Sequence, residues 1–147
     1  MNEISYIDFI ISLVAAMIAA VVTGIERQMK KKNAGLKTNA LVAVGAAIFV
    51  NISYRYMGMD DVDISRIISQ IIVGVGFLGA GVIVKNEERI SGLATAASIW
   101  CSAGLGCLAA LKMYVELATA TILIVSINLI FGYLNRYIYD KNKESES

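Results

Sequence analysis

The sequence predicts an all-α protein, a polytopic membrane bundle of about five transmembrane helices. Of its 147 residues, 57% are hydrophobic and only 17% are charged, and the mean hydropathy is +0.66. A soluble domain usually carries about a quarter charged residues, so this chain lacks polar cover for a surface in water. The apolar residues gather in five runs near the length of a bilayer crossing, and the absence of Pro favours unbroken helices.

The first apolar run, residues 4–23, is interrupted only by Asp8. It has about the 20 residues that a helix needs to cross the hydrocarbon core. A cleaved signal peptide is the competing interpretation, but no basic residue precedes the run and a strongly basic segment follows it. The pattern therefore predicts a retained helix.

Four further runs predict the remaining spans, at residues 41–56, 67–84, 93–111 and 115–133. The second run is short and polar at its ends, the third is rich in Ile, Val and Gly, and the fourth in Ala, Ser and Gly. No linker or repeat divides them. We expect one transmembrane domain over residues 1–139, followed by a polar cytoplasmic tail over residues 140–147.

Basic residues predict the orientation of the bundle. The loop after the first span is the most basic segment, with Arg27, Lys30, Lys31, Lys32 and Lys37. Further Lys and Arg residues follow the fifth span. The positive-inside bias then places the amino terminus outside and the carboxy terminus in the cytoplasm, which requires an odd number of spans. A multi-pass protein of the bacterial inner membrane is expected.

Small residues recur every four positions along the fourth span: Ala94, Ser98, Ser102, Gly106 and Ala110. At this spacing they form one continuous ridge, which lets two helix backbones approach closely in a membrane. The ridge predicts helix packing, either within this chain or with a second copy.

Four glycines lie in the third span, at Gly74, Gly76, Gly79 and Gly81. The first three match a dinucleotide-binding fingerprint literally, but that fingerprint requires a preceding strand and an α/β context that this apolar run does not offer. Close helix contact or a flexible kink is the preferred interpretation.

Polar residues inside the predicted spans are informative, because burying them in hydrocarbon is costly. Counting depth along the helices places Asp8, Asn51, Arg66 and Gln70 in one outer-leaflet layer. One hypothesis pairs Asp8 with Arg66, with the two amides completing the hydrogen bonds. The alternative is that Asp8 simply reaches the headgroups.

A second polar set lies at the predicted cytoplasmic face. Glu26 and Arg27 end the first span, and Lys37, Thr38 and Asn39 begin the second. Between them, Ala34-Gly35-Leu36 predicts a small turn held against the membrane. Arg27 and Lys37 also suggest a site for a small anion or a lipid headgroup, completed by the amides of a helix amino terminus.

Several function classes find no support in the composition. The chain has no His, the commonest catalytic base and metal ligand, and no base–nucleophile pair or cofactor loop is evident. The net charge of +1 gives no general attraction for nucleic acid. We therefore expect neither an enzyme nor a nucleic-acid-binding protein, and no bound cofactor.

Three sequence blocks together resemble the MgtC/SapB family of bacterial membrane proteins. The first contains Gly24-Ile25-Glu26-Arg27-Gln28 and then Ala34-Gly35-Leu36-Lys37-Thr38-Asn39-Ala40-Leu41-Val42. The second contains Arg66, Gln70 and the run from Gly74 to Ile83, and the third runs from Gly92 to Trp100. Their order and spacing match the family over nearly the whole chain.

The resemblance implies a transmembrane helical domain, which longer members follow with a small cytoplasmic domain absent from these 147 residues. It implies a link to growth under magnesium scarcity, to virulence in one branch of the family, and to action on other membrane proteins. It adds Thr95 and Trp100 to the cytoplasmic-face candidates Glu26, Arg27, Lys37, Thr38 and Asn39, and Arg66 and Gln70 also fall in matching blocks.

The expected function is therefore non-enzymatic: helix–helix binding, to a second copy in a dimer or to another membrane protein, linked to magnesium homeostasis. The alternative is a transporter or channel for Mg²⁺ or a small solute. Mg²⁺ prefers an octahedral shell of oxygen ligands, and Asp8 is the sole acidic residue well inside a predicted span. A ring of Asp8 side chains in a homo-oligomer would be needed, so Mg²⁺ binding stays an open possibility.

Overall fold

The computed structural model describes residues 5–58, 63–87 and 89–145, which form five α-helices and one short hairpin. The helices are α1 (Tyr6–Met29), α2 (Leu36–Arg55), α3 (Ile64–Ala80), α4 (Leu93–Ala110) and α5 (Tyr114–Ser145). Strands β1 (Val84–Asn86) and β2 (Arg89–Ser91) pair antiparallel between α3 and α4. The predicted all-α membrane fold is confirmed.

Four of the five helices are long and apolar enough to cross a bilayer: α1, α2, α4 and the Tyr114–Asn135 part of α5. The exception, α3, has 17 residues, a rise of about 26 Å. The third predicted run extends too far, because Val84 belongs to β1 rather than to the helix. Helix α1 instead continues past Thr23 to Met29.

The polar tail predicted over residues 140–147 is mostly part of a helix. Helix α5 continues to Ser145, through most of the segment expected to be a polar tail. Residues 146 and 147 of that tail lie outside the described residues.

The core lies where α1, α2 and α4 meet, and it is built mainly from alanines. Ala16, Ala43, Ala47 and Ala109 are completely buried. Small side chains bring helix backbones close together, which is how helices associate when lipid is as apolar as the side chains. The α2–α4 and α1–α2 pairs are accordingly the most extensive contacts in the bundle.

Helices α3 and α5 lie at the edge of this three-helix core. Only Val75 and Gly79 of α3 are buried, and only 6% of the apolar window of α5 is buried. The face of α5 that does pack is marked by Leu117 and Thr121, one turn apart. Most apolar side chains on both helices therefore face outward, toward lipid or a partner.

Local signals explain two of the helix starts. The Asp63 side chain accepts a hydrogen bond from the Ser65 backbone N–H at 2.8 Å, which caps α3. Helix α4 begins after Gly92, whose φ of +92° suits glycine. A Cβ at Gly92 would also overlap the Val82 carbonyl, so the chain turns here against the end of α3.

Candidate functional site

One buried polar network at the predicted cytoplasmic face is centred on Arg27, in the last turn of α1. Arg27 is only 4% exposed. One terminal nitrogen donates to the Thr95 hydroxyl at 2.5 Å and to the Asn33 carbonyl at 3.4 Å, and the other donates to the Ala94 carbonyl at 3.4 Å. Arg27 thus joins the end of α1, the α1–α2 turn and the start of α4. Its position at a helix carboxy terminus also suits a cation.

Asn39 organises a second buried network, between α2 and α4. Its amide nitrogen donates to the carbonyls of Ala34 and Gly35, at 2.7 and 2.8 Å. Its amide oxygen accepts from the hydroxyls of Ser98 and Ser102, at 3.2 and 2.8 Å. Asn39 is fully buried and its amide is satisfied on both sides. Such an arrangement holds a turn and two helices in register.

The other cytoplasmic-face candidates do not join these networks. Glu26 pairs with Lys30 at 2.5 Å, one turn along α1. Lys37 and Thr38 are exposed at the start of α2, and Trp100 is 51% exposed on α4. The structure therefore divides the predicted set into a buried pair, Arg27 with Thr95, the buried Asn39, the partly buried Glu26, and three surface residues, Lys37, Thr38 and Trp100. Because Arg27 is engaged within the bundle, it does not present its charge at the surface for an anion.

The predicted outer-leaflet layer is separated into three places, and the proposed Asp8–Arg66 pair is wrong. Asp8 accepts instead from Lys112, in the turn between α4 and α5, at 2.7 Å. Asn51 donates to the Ser12 hydroxyl at 3.0 Å and to the Ala47 carbonyl at 2.8 Å. Depth counting placed these residues at one level but could not say which sides of the helices face each other.

Arg66 and Gln70 lie in a groove between α2 and α3. The groove encloses about 1130 Å³ and is mostly apolar along its length, with Leu41, Phe49, Ile67, Ile71 and Leu78 among its lining residues. Its polar residues, Ser53, Asp63, Arg66, Ser69 and Gln70, gather where α2 ends and α3 begins. The groove therefore has one polar end, and the rest of its length is apolar.

The small-residue ridge of α4 packs inside the chain. Ser98, Ser102, Gly106 and Ala110 are buried, whereas Ala94, at the start of the helix, is exposed. Gly106 lies directly against the Ala43 backbone of α2. The sequence left open whether the partner was this chain or a second copy, and the structure places α2 in that position.

The glycines of α3 have different surroundings. Gly79 faces Ala96 of α4, with 3.4 Å between a built Cβ and the Ala96 Cβ. Gly81 lies against its own helix carbonyls, whereas Gly74 and Gly76 have open space around them. Close packing explains Gly79, and the two open glycines leave parts of α3 accessible.

Sequence reasoning missed Lys112, Ser12 and Ser53. Lys112 is a lone basic residue in a loop predicted to lie outside, and that departure from the charge bias was the available signal. Ser12 follows Asp8 by one turn of α1. Ser53 gave no signal, yet its hydroxyl is buried without a hydrogen-bond partner among the described residues.

The described residues contain no cluster of side chains that could bind a metal ion. Residues 5–58, 63–87 and 89–145 contain no group of three or more His, Cys, Asp or Glu side chains placed to hold a metal ion. Asp8, the acidic candidate raised by the sequence, is occupied by Lys112.

The MgtC family model matches residues 13–137, which include Arg27, Asn39, Arg66 and Thr95. The chain belongs to the MgtC family. Protein MgtC of Salmonella typhimurium strain LT2 is 45% identical over 122 residues, which cover 83% of this chain and 52% of that protein.

A second MgtC relative comes from a different genus. Protein MgtC of Brucella abortus strain 2308 is 43% identical over 118 residues, 80% of this chain and 49% of that protein. The chain thus spans about half the length of the MgtC proteins that it matches. No solved structure matches it.

Proposed function

We propose that this MgtC-family chain is a non-enzymatic membrane regulator that binds a helix of another membrane protein through the outer face of α3. A second copy of the chain, in a dimer, is a special case of the same binding. The observation that carries the proposal is the exposure of α3, in which only Val75 and Gly79 are buried. A helix with so little internal contact has a large surface left for a partner.

The outer face of α3 combines large and small residues. Val73 is 68% exposed and Phe77 is 82% exposed, while Gly76 and Ala80 lie exposed beside them. No described residue approaches within 4 Å of a Cβ built at Gly76. Two small residues four apart allow a second helix to approach the backbone, and the flanking Val and Phe add contact area.

The interior of the bundle supports a structural role for its buried polar residues more than a pathway for ion conduction. Arg27 and Asn51 donate to neighbouring groups of the same chain, Asn39 both donates and accepts, and the alanine-rich core around them is buried. A conduction path for Mg²⁺ needs oxygen ligands arranged along it. Asp8 forms an ion pair with Lys112 instead, so transport by this bundle has weaker support than helix binding.

The magnesium connection of the proposal comes from family membership. The family resemblance implies support of growth under magnesium scarcity, and we extend this role to the present chain in the bacterial inner membrane. Since the chain spans about half of its MgtC relatives, the role is proposed for the transmembrane domain alone. The amino terminus is placed outside and the carboxy terminus in the cytoplasm by the positive-inside bias.

The test combines crosslinking with growth in medium low in Mg²⁺. A photo-reactive amino acid at Phe77 should crosslink to one membrane protein or to a second copy. The same probe at Ile18, which is 54% exposed on α1, should not crosslink to that protein. Gly76→Leu should abolish the Phe77 crosslink and the growth support, because the new side chain keeps a partner helix away from α3.

Gly104→Leu is the matched control. Gly104 is exposed on α4 and, like Gly76, has nothing within 4 Å of a built Cβ. This variant should retain both crosslink and growth. If Gly76→Leu supported growth as well as Gly104→Leu, the α3 docking surface would be wrong. Mg²⁺ flux through liposomes holding the pure protein, abolished by Asp8→Asn, would favour the transporter instead.

A further inference from the structure

The groove between α2 and α3 has two chemically different parts. Its length is set by the facing stretches from Leu41 to Tyr56 and from Asp63 to Leu78, each about 22 Å long at the rise of an α-helix. Its volume of about 1130 Å³ slightly exceeds the usual range for sites that bind small molecules, about 300–1,000 Å³. An apolar channel of this length, open along a membrane helix pair, suits a hydrocarbon chain.

The polar end of the groove carries one cation and one anion. Arg66 is exposed, and within the described part of the chain no ion pair or side-chain hydrogen bond engages its guanidinium. Asp63 uses one carboxylate oxygen to cap α3 through Ser65, and among the described residues no donor bonds the second oxygen. Hydrogen bonding from Ser65, with a smaller contribution from the nearby charge of Arg66, lowers the pKa of Asp63 below its ordinary value.

Neutral polar groups complete this end. Gln70 is exposed one turn beyond Arg66 and lines the same groove. Ser53, across the groove on α2, is 7% exposed, and its hydroxyl has no hydrogen-bond partner among the described residues. A buried unpartnered hydroxyl is costly in an apolar setting, so a polar group supplied by a ligand would satisfy it.

We propose that this groove binds one phospholipid with a zwitterionic, amine-bearing headgroup. The phosphate lies against Arg66 and Gln70, the ammonium lies near Asp63, and an acyl chain follows the apolar lining toward Leu41 and Leu78. Opposite charges three residues apart match a headgroup that carries both signs. A headgroup with phosphate alone would satisfy Arg66 and leave Asp63 opposed to it. In the predicted orientation the headgroup lies in the outer leaflet.

The proposal is independent of helix binding by the outer face of α3. The groove is lined by Gly74 and Leu78, whereas Val73, Gly76 and Phe77 do not line it. A lipid in the groove and a helix on the outer face can thus coexist, and they can be tested with different variants.

Native mass spectrometry of the purified full chain in detergent tests the lipid site. Titration with dioleoylphosphatidylethanolamine should give one bound lipid per chain, at least several-fold tighter than dioleoylphosphatidylglycerol. Arg66→Gln should weaken both lipids about tenfold, as expected for loss of a charged hydrogen bond. Asp63→Asn keeps the helix cap and should remove only the preference for the ethanolamine lipid.

Filling the apolar part gives a separate readout. Gly74 lines the groove and no described residue lies within 4 Å of a built Cβ, so Gly74→Leu should obstruct the apolar part without displacing a neighbour and should abolish binding of both lipids. Gly104→Leu, outside the groove, should leave lipid binding unchanged. Equal affinities of the wild-type protein for both lipids, or equal binding by the wild type and Gly74→Leu, would overturn the proposal. A density map showing a protein helix in the groove would overturn it too.

Discussion

Gly106 of α4 lies so close to the Ala43 backbone of α2 that a Cβ at Gly106 would overlap the Ala43 carbonyl. This contact holds together the helix pair with the most extensive interface of the bundle. The small-residue ridge of α4 thus packs against α2 of the same chain. The side of α4 that faces α2 is consequently not open to a partner.

Gly106→Ala is expected to destabilise the bundle, because the backbone of α2 must move to admit one methyl group. The expected loss is about 1–3 kcal/mol in the free energy of unfolding, the usual range for overpacking. Unfolding in mixed detergent micelles measures it. Gly104→Ala, on the same helix but with open space around it, should not lower stability. Similar losses for both variants would argue against this close contact.

Arg27→Gln is expected to lower stability by about 1.5–3 kcal/mol, the range for hydrogen bonds made by charged groups. The guanidinium is held by Thr95, Asn33 and Ala94, and the shorter amide side chain cannot reach all three. Arg27→Lys should rescue little, because an ammonium lacks the planar fork of donors. A double-mutant cycle with Thr95→Val measures the direct link. Strictly additive effects would contradict it.

Asn39→Leu should destabilise the bundle and loosen the α1–α2 turn, because it removes donors to Ala34 and Gly35 and an acceptor for two serines. Ser102→Ala should cost less, on the order of 0.6 kcal/mol, the average for hydrogen bonds between membrane helices. The double variant should lose less than the sum of the two. Proteolysis of the turn and unfolding in micelles provide the measurements. Ser126→Ala on α5 is a control, since among the described residues the Ser126 hydroxyl bonds only the Ile122 carbonyl of its own helix.

The Asp8–Lys112 pair should contribute a small stabilisation that disappears at alkaline pH. The hydrogen bond to Asp8 raises the pKa of Lys112 above its ordinary value of 10.5. The contribution is therefore fully present below 10.5 and is lost as the pH rises through the raised pKa. Both side chains are nearly half exposed, so added salt should weaken it as well. The measurement is the unfolding difference between wild type and Lys112→Met as the pH is raised.

Double-mutant cycles can distinguish the observed Asp8–Lys112 pair from the Asp8–Arg66 pair predicted from the sequence. A cycle of Asp8→Asn with Lys112→Met should show coupling, and a cycle of Asp8→Asn with Arg66→Gln should be additive. Coupling between Asp8 and Arg66, without coupling to Lys112, would contradict the arrangement of the outer face described above.

Particular residues show how far sequence reasoning reached at the polar sites. Gly35 and its neighbours predicted a turn against the membrane, and the structure shows that turn closed by Asn39. The residue types marked Arg27 and Asn39 as important because charge and amide groups are costly near hydrocarbon. Their partners Thr95, Ser98 and Ser102 lie about 60 residues away, and no local pattern relates them.

The sequence by itself determined the membrane helices, because the need to satisfy every backbone group in hydrocarbon leaves a long apolar run no alternative but a helix. The turn residues and the small-residue ridge followed from the same local physics. Only the tertiary structure decided that α1, α2 and α4 form the core, that Asp8 meets Lys112 rather than Arg66, and that a groove opens between α2 and α3. Those outcomes depend on which sides of the helices face one another. In a bilayer the hydrophobic effect does not select these sides, because lipid tails are as apolar as the side chains.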